Sequence, residues 1–281
     1  MNNAILITGF NGEIGRQTLL SLSKKKELII ALDINESDIK YDNVIYIKDS
    51  ILNKNIIDSI FNDYNITEIY HFAALLSQSA NENPQLAHEV NEKGSKLIIN
   101  TAMNHGKKHK SFVKIFFPSS IAVYGPRKLT NAKEQDIIKP NTIYGCNKLA
   151  IEQFGTQKYE ESIAIGCGID FRCLRFPGII SPYTIPSGGT TDFAPQMLHA
   201  AYNNEKYICS VDRSTTLPFL GIKNAVNAIL QIMNPKNIES KLRAFNVQEV
   251  TLSPKEIVLE LQKEFPKFIV DYNIDSKFQS I

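Results

Sequence analysis

The sequence carries almost no net charge. Its 31 lysines and arginines nearly balance 29 aspartates and glutamates, which leaves a net charge of +2 at neutral pH. A balance this even gives no electrostatic reason to expect nucleic acid or an acidic membrane surface as a partner. We therefore predict that the chain binds neither.

Cysteines are few, and their spacing carries no metal or disulfide signature. None forms a CxxC pair, and no histidines cluster beside them. This pattern indicates reduced intracellular thiols rather than a disulfide framework or a zinc site, so we expect no metal. The four cysteines are Cys146, Cys167, Cys173 and Cys209.

Targeting signals and long apolar runs are also missing. Met1-Asn-Asn leads directly into a short apolar segment, without a signal peptide or an arginine-rich transit segment. No apolar run reaches the roughly 18 residues that a membrane-spanning helix needs. We expect a soluble cytoplasmic protein, or a mitochondrial one if a presequence was removed.

What the sequence does contain is an alternation of strand and helix patterns. Apolar strand-like runs occur at residues 4–8, 28–32, 44–47, 67–72, 112–117 and 169–175. Continuous apolar strands are typical of parallel sheets that are buried on both faces. We predict an α/β fold with a doubly wound parallel sheet of the Rossmann type over residues 1–176. The alternation then stops, which predicts a smaller and mainly substrate-binding lobe over residues 177–281.

A glycine-rich turn joins the first strand to the first helix. Gly9 would permit the tight turn, Gly12 would let the backbone approach a pyrophosphate, and Gly15 would allow close helix–strand packing. The N-terminus of the following helix would offer its unpaired N–H groups to the phosphates. A glycine triplet alone is often only a turn, but its position between strand and helix predicts a dinucleotide site. Glu13 and Ile14 lie inside this motif and are included in the predicted cofactor contacts.

An aspartate ends the second predicted strand. Asp33 follows the glycines by about 20 residues, the spacing at which an acid accepts hydrogen bonds from the adenosine ribose. It would repel a 2′-phosphate, and no arginine follows nearby, so we predict NAD rather than NADP. Taken alone, Asp33 could equally be a turn residue. The neighbouring predicted contacts are Ile34 and Asn35, with Asp49 and Ser50 after the third strand.

Small residues follow the fourth predicted strand. Ala73 and Ala74 come directly after it, where small side chains let a cofactor lie close to the backbone. Farther along, Asn91 is polar within an otherwise apolar helix, and a structural role for it is as plausible as a functional one. We predict that Ala73 and Ala74 contact the cofactor.

Tyr144 and Lys148 are the candidate catalytic pair. They lie four residues apart, so on a helix they share one face. A tyrosine has an ordinary pKa of about 10, and lowering it to roughly 7 needs about 4 kcal/mol of differential stabilisation. The Lys148 ammonium and a cationic nicotinamide ring would supply it. Ser120 ends the fifth strand, so its hydroxyl would lie at the carboxyl edge of the sheet, where ligands of such folds bind.

Together these parts resemble the extended short-chain dehydrogenase/reductase family over nearly the whole chain. Its signatures are the three glycines, Asp33, the His71-Phe-Ala-Ala74 segment, Ser120 and the Tyr144/Lys148 pair. Four stretches look more specifically like its L-threonine 3-dehydrogenases of the epimerase-like type. They are the segments 73–77, 117–126, 174–181 and 188–192.

The resemblance implies a function and the residues that would carry it out. It implies NAD-dependent oxidation of L-threonine to 2-amino-3-oxobutanoate, with Tyr144 as general base, Lys148 lowering its pKa and holding the nicotinamide ribose, and Ser120 binding the substrate hydroxyl. Leu174 is predicted to contact the cofactor. The chain is expected to form a homodimer through the helices at residues 84–103 and 144–161. The predicted substrate contacts are Ser77, Ser120, Tyr144, Ser181, Thr190 and Thr191.

Some features depart from this pattern, and two other functions stay open. Glu13 places an acid beside the phosphate loop, and the chain stops earlier than such enzymes usually do, so a C-terminal segment is expected to be missing. The first alternative is a nucleotide-sugar epimerase or dehydratase, for which Arg175 and Arg213 would be the diphosphate-binding cations. The second is a non-catalytic dinucleotide sensor, against which the intact Ser120, Tyr144 and Lys148 set argues. Fold alone does not decide among them.

Overall fold

The computed structural model describes residues 1–126, 132–183, 191–235 and 240–275. Its main element is a seven-stranded parallel sheet in the order β10-β6-β5-β4-β1-β2-β3. The predicted α/β fold with a doubly wound sheet is therefore confirmed. Its strands are β1 (Asn3–Thr8), β2 (Leu28–Asp33), β3 (Val44–Lys48), β4 (Asn65–His71), β5 (Phe112–Ser120), β6 (Gly168–Phe176) and β10 (Ala244–Asn246).

Helices cover both faces of this sheet. One apolar layer joins α2, α5 and α6 to the sheet, and the other joins α1 and α8 to its opposite face. Because both faces are covered, β1, β2 and β6 are buried along nearly their whole length. The α-helices are α1 (Glu13–Leu22), α2 (Lys54–Asp63), α3 (Ser77–Glu82), α4 (Pro84–Ala87), α5 (Ser95–His109), α6 (Ile143–Ile165), α7 (Phe193–Tyr202), α8 (Ile222–Met233) and α9 (Pro254–Glu264).

The strand order sets the position of the site. The chain moves outward from β1 to β2 and β3, then returns to place β4 on the other side of β1. Ligands of open α/β sheets bind at this reversal, outside the carboxyl ends of the strands. The segments that follow β1, β2, β4 and β5 therefore meet at one edge of the sheet.

The single helix predicted over residues 84–103 consists of three successive helical segments. Asn83 caps the short α4 by accepting from the Leu86 amide, and Pro84 is its first residue. A π-helix, His88–Gly94, then connects α4 to α5. The preceding α3 was not predicted, because six polar and small residues carry no helical periodicity. Single π-turns within helices frequently mark functional sites.

The smaller lobe is built mainly from residues after 177. Its apolar core contains side chains of α7 and α9 with those of its short strands. Two later segments return to the larger unit, however, since α8 packs beside α1 and β10 pairs with β6. The domain boundary at residue 176 stays a prediction. The lobe's strands are β7 (Gly178–Ile180), β8 (Tyr207–Cys209), β9 (Leu217–Gly221), β11 (Val250–Leu252) and β12 (Val270–Tyr272).

Within the described ranges, no helix combines the length and the apolar character needed to cross a membrane.

Candidate active site

The glycine turn after β1 is packed against the segment after β4. Gly9 has a φ of +68°, and a Cβ built on it would lie 2.4 Å from the amide nitrogen of Ala73. A Cβ on Gly15 would lie 2.3 Å from the carbonyl oxygen of Gly9. Gly12 differs, because its Cβ would meet only one described atom, at 3.4 Å. Gly9 and Gly15 are thus required by the packing of the turn itself, whereas Gly12 leaves open space in which a phosphate fits. Glu13 and Ile14 are the first two residues of α1.

Asp33 is held at the end of β2 by two backbone amides. One carboxylate oxygen accepts from the Asn11 amide at 3.0 Å, and the other accepts from the Asn35 amide at 2.9 Å. Each oxygen keeps a lone pair for a further donor, as the predicted contact with ribose hydroxyls requires. The fixed carboxylate therefore fits the adenosine end of a dinucleotide.

Asn11 is a site residue that the sequence analysis missed. Its side-chain nitrogen donates to the carbonyls of Asn35 and Glu36 at 3.1 and 3.0 Å, which joins the glycine turn to the loop after β2. Its Oδ1 is buried and accepts no hydrogen bond from any group in the described ranges. A buried acceptor without a partner is costly, so it marks a place where a ligand donor fits. Its position inside the glycine motif was the available signal.

The other predicted adenosine contacts lie around Asp33, at the corner formed by the glycine turn and the loop after β2. The Asp49 amide donates to the carbonyl of Asp33 at 2.9 Å. The Asp49 carboxylate already accepts from the Ser50 amide and from the side chain of Asn53. Ile34 is 65% exposed beside them. Its large apolar surface is therefore free to cover an adenine ring.

The segment after β4 is held by a buried asparagine of the π-helix. Asn91 accepts from the Leu75 amide at 2.7 Å and donates to the Leu75 carbonyl at 3.0 Å. The Asn91 side-chain nitrogen also donates to Asn147 Oδ1 at 3.5 Å, and the Asn147 side-chain nitrogen donates to Glu92 at 2.8 Å. This fixes the backbone next to Ala73 and Ala74. The structure thus gives Asn91 a positioning role, which sequence reasoning left open.

Gly145 lets the start of α6 approach the turn that follows Ser120. The Ser120 hydroxyl accepts from the Ala122 amide at 3.2 Å, which starts a 3₁₀ turn, Ile121–Tyr124. A Cβ on Gly145 would lie 2.5 Å from the Ala122 carbonyl oxygen, so only glycine allows α6 to approach this turn. Tyr144 is the preceding residue. Sequence reasoning missed Gly145, although it lies within the Tyr144-Gly-Cys-Asn-Lys148 motif.

Lys148 points into the sheet edge beneath Tyr144. Its ammonium donates to the Pro118 carbonyl at 2.7 Å and lies 4.7 Å from the centre of the Phe117 ring and 5.3 Å from that of Tyr144. Burial lowers the pKa of Lys148 to about 8, although the nearby Cys173 and Glu152 oppose the shift. The pair predicted from the four-residue spacing is therefore formed, with both groups on one face of α6.

The pKa of Tyr144 depends on more than Lys148. In the protein alone, burial raises the pKa of Tyr144 above its ordinary value, whereas the expected lowering involves both Lys148 and a nicotinamide cation. Desolvation disfavours the phenolate more than one lysine at this distance favours it. Lowering the pKa toward neutrality therefore needs a further positive charge next to the ring, and a nicotinamide cation has that charge.

Arg175 is occupied by an ion pair inside the protein. Its guanidinium donates to the carboxylate of Glu152 at 2.8 and 3.0 Å, and both side chains are about 95% buried. It also donates to the Tyr124 hydroxyl and to the Glu134 carbonyl. Glu152 lies one turn after Lys148 on α6. Arg175 therefore ties α6 to β6 and is not free to bind a diphosphate.

The predicted substrate residues lie in two groups. Ser77 is the first residue of α3, whereas Ser181 is fully buried just after β7 and accepts from the Tyr183 amide. Thr191 lies beside Gly178, on which a Cβ would be 2.8 Å from the Cβ of Thr191. Thr190 lies outside the described residues. Leu174 is buried in the apolar layer next to α1 and α8, two residues before the end of β6.

A Rossmann sheet whose glycine turn, Asp33 and Tyr144/Lys148 pair lie at one edge is the arrangement of the extended short-chain dehydrogenase/reductases. The model of the NAD dependent epimerase/dehydratase family matches residues 5–247, and the chain belongs to this family. A nicotinamide dinucleotide is therefore its cofactor. The residues described above fit it: the open space at Gly12 would accommodate the pyrophosphate, and the Asp33 carboxylate would accept from the ribose.

Known proteins of this kind resemble the chain over nearly its full length. The mitochondrial L-threonine 3-dehydrogenase of Sus scrofa is 33% identical over 99% of this chain and 72% of the relative. The crystal structure of L-threonine dehydrogenase from Phytophthora infestans superposes with a TM-score of 0.86 at 31% identity, covering 97% of this chain and 85% of that one. That of the Clostridium difficile enzyme gives 0.87 at 29% identity, covering 99% and 86%. The resemblance inferred from the sequence is confirmed.

Proposed function

We propose that the protein oxidises the secondary hydroxyl of L-threonine with NAD, giving 2-amino-3-oxobutanoate, NADH and a proton. The observation that carries the proposal is the Tyr144/Lys148 pair, which α6 holds against the turn after Ser120 at the same sheet edge as the glycine turn. An alcohol can be oxidised there only if one group removes its proton while the nicotinamide accepts its hydride.

Each of the three side chains has a distinct role in this proposal. Tyr144 removes the hydroxyl proton as its phenolate, and Ser120 hydrogen-bonds the same oxygen as it becomes a carbonyl. Lys148 holds the nicotinamide ribose and, together with the cationic ring, favours the phenolate. The hydrogen bond from Lys148 to Pro118 fixes the ammonium for both tasks.

Threonine is favoured over a nucleotide sugar by the state of Arg175. A diphosphate needs cationic partners, and Glu152 already occupies this guanidinium. Arg213 is exposed, so an epimerase or dehydratase function remains the second candidate. The identity of 33% to an L-threonine 3-dehydrogenase and the hydroxyls of Ser77 and Thr191 also favour the small substrate. A non-catalytic sensor would need neither Ser120 nor Tyr144.

The test is NADH formation measured by absorbance with a panel of candidate substrates. L-threonine, its D- and allo-isomers, L-serine and UDP-glucose separate the two functions. We expect turnover with L-threonine and little with its stereoisomers. Interconversion of a nucleotide sugar without net NADH formation would instead establish the epimerase function.

We further propose a homodimer in which the helices at residues 84–103 and 144–161 form the contact. Phe154 of α6 is half-buried against the apolar layer, with the ammonium groups of Lys96 and Lys158 at 5.7 and 5.6 Å from the centre of its ring. Light scattering during size-exclusion chromatography measures the mass directly. A Phe154→Glu variant that changes the mass from dimer to monomer would identify the face, whereas a monomeric wild-type protein would refute the proposal.

A further inference from the structure

We propose that the Arg16–Asp38 ion pair is a second determinant of cofactor choice, because it neutralises a guanidinium that would otherwise serve a 2′-phosphate. This inference rests on the proposed use of NAD. It concerns the adenosine corner, where the sequence indicated only Asp33. No arginine follows Asp33 nearby, but the fold brings one from α1 to the same loop.

The pair spans the loop that the ribose site is built on. Arg16 follows Gly15 in the first turn of α1, and its two terminal nitrogens donate to the two oxygens of Asp38 at 3.1 and 2.6 Å. Asp38 lies five residues beyond Asp33. The intervening loop is fixed to the glycine turn by the contacts of Asn11 with Asn35 and Glu36. Arg16 therefore lies between the phosphate loop and the loop that follows the ribose-binding acid.

Two basic side chains of this corner, Arg16 and Lys48, are both paired with acids of the loop after β2. A second acid of the loop, Glu36, accepts from Lys48 at 2.9 Å. Arginine is the side chain best suited to a phosphate, because its planar guanidinium donates two parallel hydrogen bonds. Here both of those donors are directed to Asp38. A bound 2′-phosphate would have to displace this carboxylate and would also face Asp33.

The pair is exposed enough to be changed without disturbing the fold. The side chain of Arg16 is 32% exposed and that of Asp38 is 67% exposed. Exposed ion pairs contribute little to stability. Asp38→Asn should therefore leave the fold intact while releasing the guanidinium.

Binding of NADH and NADPH, measured by the fluorescence of the reduced nicotinamide, tests the inference without turnover. We expect Asp38→Asn to keep the NADH affinity and to improve NADPH binding. The effect should be clearest with Asp33→Asn present, where the repelling acid is also gone. In that background we expect Asp38→Asn to lower the Kd for NADPH about tenfold, the value of one added charge-assisted contact.

Two controls make the result specific to Arg16. Adding Arg16→Gln to the Asp33→Asn/Asp38→Asn variant should abolish the gain in NADPH affinity. Glu36→Gln in place of Asp38→Asn releases Lys48 instead of Arg16 and should give a smaller gain. The inference is overturned if Asp38→Asn leaves the NADPH affinity of the Asp33→Asn protein unchanged. It is equally overturned if the gain survives Arg16→Gln. A protein that binds NADH but oxidises no threonine would refute the proposed substrate and leave this result standing.

Discussion

Replacing Lys148 with methionine should change the pH dependence of stability by about 3 kcal/mol. Only 3% of Lys148 is exposed, and burial lowers its pKa from 10.5 to about 8. Each pKa unit corresponds to about 1.4 kcal/mol, so keeping this ammonium charged inside the fold costs about 3 kcal/mol. Methionine has nearly the same length and no charge to desolvate.

The sign of the effect follows from which state holds the proton. Below about pH 8 both folded and unfolded chains carry a charged Lys148, and the full cost destabilises the fold. Between about pH 8 and 10.5 the folded state has released a proton that the unfolded state still binds, so the wild-type protein gains stability as the pH rises. The variant lacks this gain.

The methionine variant also loses the hydrogen bond to the Pro118 carbonyl, which costs about 1 kcal/mol at every pH. At neutral pH the variant should therefore be about 1–2 kcal/mol more stable than the wild type, although it has no turnover. Near pH 10.5 it should be about 1 kcal/mol less stable.

Urea unfolding of both proteins across this pH range measures the difference directly. Methionine at the exposed Lys223 is the matched control, because it removes a lysine without removing a buried charge. Titration of the other groups occurs in both proteins and cancels in the comparison. A constant offset between wild type and Lys148→Met at all pH values would refute the reasoning.

Three further predictions concern other parts of the site. Tyr144→Phe should bind NADH normally but lose nearly all turnover, and activity within a few-fold of wild type would show that another group is the base. Glu152→Gln should lower the free energy of unfolding by about 3–5 kcal/mol, because it leaves the Arg175 guanidinium buried and unpaired. The double variant Glu152→Gln/Arg175→Met has no buried guanidinium, so urea titration should show that it is more stable than Glu152→Gln alone. An equal or lower stability of the double variant would contradict this explanation. Burial lowers the pKa of His71 to about 3, so its stability contribution is complete above about pH 6.5 and is lost as the pH falls toward 3. The free energy of unfolding of the wild-type protein should fall by about 3 kcal/mol between pH 7 and 4, and the His71→Gln variant should lack this loss. If the two proteins lose stability in parallel, His71 is not its cause.

Local features of the sequence were enough to predict the framework of the fold. Continuous apolar runs predicted parallel strands, the glycine triplet predicted the phosphate turn, and the four-residue spacing placed Tyr144 and Lys148 on one helix face. These features are local, because period, turn geometry and helical spacing depend on residues close together in the chain. They were sufficient for the fold class and for the identity of the main candidate residues.

How those residues are held, and which charges they pair with, depends on contacts between distant parts of the chain. Arg175 and Glu152 are 23 residues apart, and Arg16 and Asp38 are 22 apart, so no local pattern pairs them. The return of β10 to the edge of the large sheet likewise depends on packing against β6. The pKa of Tyr144 shows the same dependence on distant packing. Its spacing to Lys148 is local, but the burial that raises its pKa is created by every element packed around it.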